Sequence, residues 1–291
     1  MRITRIAAVI LTGALALAGA ACGGNDDTGG GGTSKSFEAG TTMERLNKAQ
    51  KITIGTKFDQ PGFGLKGLDG KPAGFDVEIG KIIATELGIP ADKINWVETK
   101  SAVREEFIEK GDADIVVATY TINDKRKERI AFAGPYYVAG QHIMVRADDT
   151  AITGPDSFMA GDKKVCSVQG STPATNIEKY LKDKATQLVL FDVYQKCVDA
   201  LKAKQVDAVT TDNVILTGFM ATNEGQFKLT GQQFTKEPYG IGVKKDDTKF
   251  REFINATLEK IYGDGRYAQA WKDTAGKFDA TVPQPPSVNR Y

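Results

Sequence analysis

The sequence predicts an α/β protein of two lobes, each a mostly parallel sheet with flanking helices, joined by a two-strand hinge. Three observations point there. Short β-branched runs alternate with amphipathic stretches through two successive segments, the segments share a weak internal repeat, and extended aromatic stretches follow each of them. The chain has 291 residues, 41% of them hydrophobic, enough to bury a sizeable core in one or two domains. With 38 basic and 37 acidic residues and a formal net charge of +1, it lacks the basic face that nucleic acid requires.

The N-terminus reads as a targeting segment. Arg2 and Arg5 precede an apolar run from Ile6 to Ala18 that is too short for a comfortable membrane span, and small residues follow, which predicts a secretory signal peptide over 1–21. In "LALAGAACGGNDD" a cysteine follows small residues directly and precedes a glycine-rich tract. This stretch resembles a bacterial lipoprotein lipobox, which implies that Cys22 is lipidated and anchors the protein to the outer face of the cell membrane. Plain cleavage after Ala18-Gly19-Ala20 would instead release a soluble protein. Residues 22–40 read as a flexible tether, and no phosphate-loop pattern follows a strand anywhere.

From residue 41 the elements alternate. "KITIGT" reads as a strand, and "GFDVEIGKIIATELGI" as a helix with Phe75, Ile79, Ile82, Ile83 and Leu87 on one face, ending at Gly88 before Pro90. "INWVE" is a strand, "AVREEFIEKG" a helix and "ADIVVATY" a buried strand. The second run comprises "KKVCSV", "TQLVLF" and "VDAVTTD" as strands, with "NIEKYLKDK", "VYQKCVDALKAKQ" and "VILTGFMATN" as helices. "GPYYVAGQHIMVR" and "KEPYGIGVKK" are extended and read as the crossover strands, and the tail from Thr248 is helical.

The repeat relates "EKGDADIVVAT" to "KAKQVDAVTTD": aligning Asp114 with Asp207 places Thr119 opposite Asp212. Ligands of open α/β sheets sit outside the strand C-termini, so two such lobes predict a ligand enclosed between them by hinge closure. Cys166 and Cys197 form an even pair in an exported chain whose single histidine, His142, cannot furnish a zinc site, and a disulfide is expected.

The order "ITIGT…PGF…DGKPAGFDVEIGKIIATELGI", "GDADIVVATYTINDKRKERIAFAGPYY", "VCSVQGST", "VDAVTTD" and "EPYGIGVKKDD" resembles the extracytoplasmic solute-binding proteins of polar amino-acid ABC transporters over residues 41–275. The resemblance implies a periplasmic-binding-protein-like fold: a discontinuous lobe 1 over 41–137 and 240–280, lobe 2 over 142–236 and a tail over 281–291. It implies a monomer that binds one amino acid without a cofactor and meets a permease.

The chemistry of an amino-acid zwitterion fits these residues. Arg126 offers a guanidinium fork to the α-carboxylate, with Thr121 beside it; its ordinary alternative is a surface charge in a lysine-rich turn. Thr172 before Pro173 has the pattern of an N-cap, so a helix start there would present free N–H groups to the same carboxylate. Asp212, a carboxylate ending an apolar strand, and the Thr119 carbonyl would receive the α-ammonium. Phe63 is weighed equally as core and as a wall against the ligand.

Specificity is assigned to cations near the first strand. Lys57, in "TKFDQPGF", stands where many relatives carry an acid, and Arg104 follows Ser101 at the Ser-x-x-Arg spacing that resembles glutamate- and aspartate-binding members. Arg104 could instead pair with Glu105 or Glu106 on a solvated face. Tyr194 would reach the same side chain from lobe 2. L-Glutamate is therefore the expected ligand, with aspartate, glutamine and asparagine as alternatives. A sensor role and a dehydratase-type enzyme on the same fold are the competing classes, the enzyme opposed by the absence of a visible acid/base constellation.

Overall fold

The computed structural model describes residues 35–291; the expected signal peptide, Cys22 and most of the expected tether lie outside them. Lobe 1 opens with α1 (Thr42–Ala49), capped by the Thr41 hydroxyl, which accepts from the Glu44 N–H. It continues through β1 (Ile52–Thr56), a small antiparallel ribbon of β2 (Asp59–Gln60), β3 (Gly64–Lys66) and β4 (Pro72–Ala73), α2 (Phe75–Glu86), β5 (Ile94–Glu98), α3 (Arg104–Lys110), β6 (Ile115–Val116) and α4 (Asp124–Lys127) to the crossover strand β7 (Ala131–Ala139).

Lobe 2 comprises β8 (Gln141–Arg146), β9 (Val165–Val168), α5 (Thr172–Ile177), the one-turn α6 (Lys184–Gln187), β10 (Leu188–Phe191), α7 (Tyr194–Lys202), β11 (Ala208–Asp212), α8 (Asn213–Ala221) and β12 (Phe227–Thr230). The return strand β13 (Glu237–Val243) re-enters lobe 1, which ends with α9 (Thr248–Gly263) and α10 (Arg266–Asp273).

The two sheets have the same plan. Lobe 1 is ordered β5-β1-β6-β13-β7 and lobe 2 β10-β9-β11-β8-β12, each with three parallel strands followed by two antiparallel ones. The repeat seen in the sequence has a structural meaning. Asp114 accepts from the Thr53 N–H at 2.8 Å and its own N–H returns to the Thr53 carbonyl at 2.9 Å. Asp207 does the same with Lys164, at 2.7 and 2.8 Å. Each aspartate therefore locks the entry of a central strand to its parallel neighbour, which aligns the strand ends that face the cleft.

The core of lobe 1 is aromatic. Phe63, Phe75, Tyr137, Tyr239 and Trp271 pack edge-on or stacked, with Tyr137 and Trp271 centroids 5.4 Å apart. Phe63, 1% exposed, belongs to this core, so it is not a ligand wall. The apolar face predicted for the helix after Gly74 is also buried there, with Phe75, Ile79, Ile83 and Leu87 fully covered.

Three local expectations are corrected. The strand read in "ADIVVATY" shortens to Ile115–Val116, because Thr119 adopts a left-handed φ of 44° and hands its N–H to Asp76 rather than to a ladder. The helix read in "NIEKYLKDK" lies earlier, at Thr172–Ile177 with a 3-10 turn through Tyr180, and its N-cap is Ser171, whose hydroxyl accepts from the Ala174 N–H. Residues 35–40, read as tether, are attached to lobe 1: Lys35 pairs with Glu86 at 2.9 Å and Phe37 packs on Phe253. The tail over 281–291 is likewise docked there, through the Asn289 N–H to the Gly134 carbonyl and the Phe132 N–H to the Tyr291 hydroxyl.

Cys166 and Cys197 are disulfide-bonded. The bridge pins α7 to β9 across a sequence separation of 31, a loop whose closure contributes about 3–4 kcal/mol in the chain-entropy account.

Candidate functional site

The parallel strands of both sheets end at one cleft. Beyond them, Ser101, Arg104, Thr119 and Thr121 of lobe 1 face Ser171, Thr172, Pro173, Tyr194, Thr211, Asp212 and Ile215 of lobe 2 across a narrow gap. Three larger grooves lie on lobe 1 away from these ends and one on lobe 2, so size alone does not single out the cleft.

The lobe 1 wall is cationic and dry. Lys57, 4% exposed, lies one layer behind the cavity and donates to the Ser101 hydroxyl at 2.8 Å. Arg104, 2% exposed, stacks on the Tyr120 ring at 4.1 Å, donates through Nη1 to the Ala118 carbonyl at 2.9 Å and has no partner for Nε. Among the described residues neither cation is in ion-pair contact with a carboxylate. Burial, and then Arg104, pushes the Lys57 ammonium well below its ordinary pKa; burial, and then Arg126, brings Arg104 down to about 10.

Arg126 sits differently from a free clamp. Its Nε meets Glu105 at 3.1 Å, Nη1 donates to the Thr121 carbonyl at 2.7 Å and Nη2 to the Gly170 carbonyl of lobe 2 at 3.0 Å. It therefore stands behind Thr121 and is not on the cavity wall. The bond to Gly170 crosses the cleft, so lobe opening releases one edge of the fork.

The anionic groups are also buried. Asp212 accepts from the Tyr239 hydroxyl through Oδ2 at 2.5 Å, while Oδ1 has no protein partner. Burial, and then the neighbouring Glu237, pushes its carboxyl up to about 7. Asp76 accepts from Tyr136 at 2.6 Å and from the Thr119 N–H at 2.7 Å, and burial raises it to about 7 as well. Tyr194 borders the cavity, its phenol raised to about 12 by burial and by Asp212.

Several groups here were not anticipated from the sequence. Asp76 lay inside an ordinary helical period, Gln60 in a loop without a motif, and Thr211 and Ser171 beside residues already chosen. The Gln60 side chain holds the Thr119 hydroxyl at 3.0 Å, and Thr211 Oγ1 is unpaired. The available signal was local: each is a polar residue at or just beyond the end of an apolar strand or at a helix start.

The lobes are held together at the rim. α7 has no side-chain cap of its own, and Asp59 of lobe 1 supplies one, accepting from the Tyr194 N–H at 2.7 Å and from the Gln195 N–H at 3.4 Å. Lys100 of lobe 1 pairs with Asp192 of lobe 2 at 2.7 Å. The approach is close enough that a Cβ on Gly218 would stand 2.3 Å from the Pro61 carbonyl oxygen.

A two-lobed α/β chain with a polar, water-excluding cleft at its strand ends is a small-solute binding protein. Residues 52–274 match the bacterial extracellular solute-binding proteins, family 3, and the chain belongs to that family. It is 40% identical over 291 residues to the glutamate-binding protein GluB of Corynebacterium efficiens, covering 96% of this chain and 93% of that one. It is 37% identical over 254 residues to the ABC transporter glutamine-binding protein GlnH of Bacillus subtilis, covering 87% and 90%. Among solved structures, an ancestral arginine-binding protein bound to arginine matches with a TM-score of 0.72 and 32% identity, over 77% of this chain and 98% of that one. The family and these names describe binding proteins.

Replacing Asp59 by asparagine keeps the size but removes the charge that caps α7 from the other lobe. The closed population should fall, with ligand affinity weakened by about 0.3–1 kcal/mol and the isolated lobes unperturbed. Small-angle scattering with titration calorimetry reads both; unchanged compaction and affinity would remove the cap from the closing energetics.

Proposed function

We propose that the chain captures L-glutamate outside the cytoplasm as a lipid-anchored monomer and presents it to an ABC importer permease. The observation that carries the ligand is the pair Lys57 and Arg104, two buried cations without a carboxylate partner among the described residues. A second carboxylate on the ligand neutralises them, whereas an amide leaves both charges desolvated. The name of GluB supports this reading, and that of GlnH supports the glutamine alternative.

The α-groups are assigned as follows. Arg126, freed from Gly170 when the lobes open, takes the α-carboxylate beside Thr121, with the backbone at Thr172 opposite. Asp212 takes the α-ammonium through its unpaired oxygen, with the Thr119 carbonyl across the cleft. Ser101, which accepts from Lys57, donates its own proton to the side-chain carboxylate, and Tyr194 closes over it from lobe 2. Binding and delivery account for these groups without an acid/base step, so no reaction is assigned.

A calorimetric comparison of glutamate, aspartate, glutamine and asparagine tests the assignment. Wild type should prefer glutamate; Lys57→Ala and Arg104→Ala should lose glutamate selectively, whereas Arg126→Ala and Asp212→Asn should weaken all ligands by about 2–5 kcal/mol. Glutamine preferred by wild type, or equal losses for both ligands in the Lys57 and Arg104 variants, would defeat the glutamate reading.

Affinity should also depend on pH with a defined sign. An ammonium beside Asp212 requires the ionised carboxylate, and burial, then Glu237, holds that carboxyl up to about 7. Glutamate binding should therefore weaken as pH falls below about 7, by at most about tenfold per unit for one proton. It should weaken again on the alkaline side, where Lys57 must take up a proton to meet the ligand. A flat calorimetric profile between pH 5 and 8 on roughly this scale would argue against Asp212 as the ammonium partner.

For the anchor, Cys22→Ala should move the protein from the detergent phase to the aqueous phase in its native host. Identical partitioning of variant and wild type would refute lipidation.

A further inference from the structure

Glu237 is a buried carboxylate, 2% exposed, at the start of the return crossover β13, opposite Ala139. The assignments above leave it without a role. Among the described residues it forms no ion pair; its charge is met by three neutral donors. Oε1 accepts from the Asn176 amide at 2.9 Å and from the Thr235 hydroxyl at 2.8 Å, and Oε2 accepts from the Thr172 hydroxyl at 2.7 Å. Thr172 borders the cavity, and its hydroxyl also stands 3.2 Å from that of Thr121 on the other lobe.

A hydroxyl has one proton and two lone pairs. The shorter contact to a carboxylate is charge-assisted, so the Thr172 proton goes to Glu237 and not to Thr121 or the cavity. Thr172 then shows only lone pairs to the cleft, on the same side as Asp212. The Thr172 hydroxyl and Asp212 thereby both present acceptors to the cleft from lobe 2.

We infer that Glu237 is a positioning residue for the ammonium end of the ligand: it orients the Thr172 hydroxyl as an acceptor and adds a second carboxylate on the Asp212 side of the cleft. This rests on the reading of the site as an amino-acid cleft and extends it to a residue outside the cavity wall. The role is specific to a cationic α-substituent, because an acceptor and a nearby anion favour an ammonium and do little for a hydroxyl, which can itself donate or accept.

The substitution Glu237→Gln gives a directed test. Asn176 and Thr235 are both donors to Oε1 and hold the amide oxygen there, which leaves the amide NH2 facing Thr172 and turns the threonine proton toward the cleft. Calorimetry is run on wild type and variant with L-glutamate, L-glutamine and (S)-2-hydroxyglutarate, in which a hydroxyl replaces the α-ammonium. Both amino acids should weaken roughly tenfold or more in E237Q while the hydroxy acid changes by less than about threefold, so that discrimination contracts. In a Thr172→Val background the same substitution should contract it less, which shows the action running through the hydroxyl.

Parallel loss of all three ligands would make Glu237 a structural residue only, and unchanged discrimination would overturn the proposal outright. An E237Q protein too unstable to measure leaves Thr172→Val to decide: unchanged discrimination in that variant overturns the proposal. If wild type binds glutamine in preference, the side-chain assignment falls and the discrimination test stands on that ligand. If it binds neither amino acid, the reading of the site falls and this inference with it.

Discussion

Charge removed from water must find opposite charge or a dense set of hydrogen bonds, and the cleft is organised around that requirement. Lys57, Arg104 and Arg126 are all buried in lobe 1 at or behind the cleft, and only Arg126 has a carboxylate, Glu105, in contact. The remaining positive potential is held in place by neutral groups: the Ser101 hydroxyl, the Ala118 carbonyl and the face of Tyr120. These satisfy individual N–H groups without cancelling charge. The opposite wall has the mirrored problem, since Asp212 is stabilised by a phenol and Glu237 by hydroxyls and an amide. A molecule carrying both signs resolves the two deficits together, which is the physical content of zwitterion recognition.

That arrangement depends on a scaffold that does not yield. Asp76, anchored by Tyr136, holds Thr119 in a left-handed turn that an extended strand would not adopt, and the turn places Thr119 at the border of the cleft. Beneath it the interlocked aromatic rings leave little freedom for β7 and β13 to slide. On the other side the disulfide fixes α7 to β9, so Tyr194 and its rim contacts travel with the sheet as a unit. Rigid halves and a thin joint make the closure of the lobes the soft coordinate of the molecule.

Much of this was legible in the residues, for identifiable reasons. Apolar periodicity marked α2, and β-branched runs marked β1, β5 and β11, because those elements are defined by what they bury. The paired Asp114 and Asp207 could be aligned because each performs the same backbone lock. Ser101 and Arg104 could be read from spacing, since both lie where β5 hands over to α3. What could not be read required three dimensions. Phe63 and a wall residue have the same local sequence signature, and only packing against Trp271 separates them. The cap at Ser171 and that at Thr172 differ by one position in a stretch where both residues are good caps. Asp59 caps a helix that begins 135 residues later, and no local rule connects the two.

The entry and exit of lobe 2 are neighbours: Ala139 and Glu237 are paired across the crossover. Lobe 2 is thus an insertion between two strands of a sheet that is otherwise complete. The central partner of β6 and β7 is β13, so the lobe 1 sheet stays open, with an unsatisfied edge on each side of the gap, until the whole of lobe 2 has emerged. Lobe 2 is contiguous in the chain and closes its own sheet first. In a chain that emerges from its N-terminus the order of assembly is therefore imposed by topology, with the half that carries the cationic wall finished last, and the interval before β13 arrives is when the chain is most exposed to misassembly.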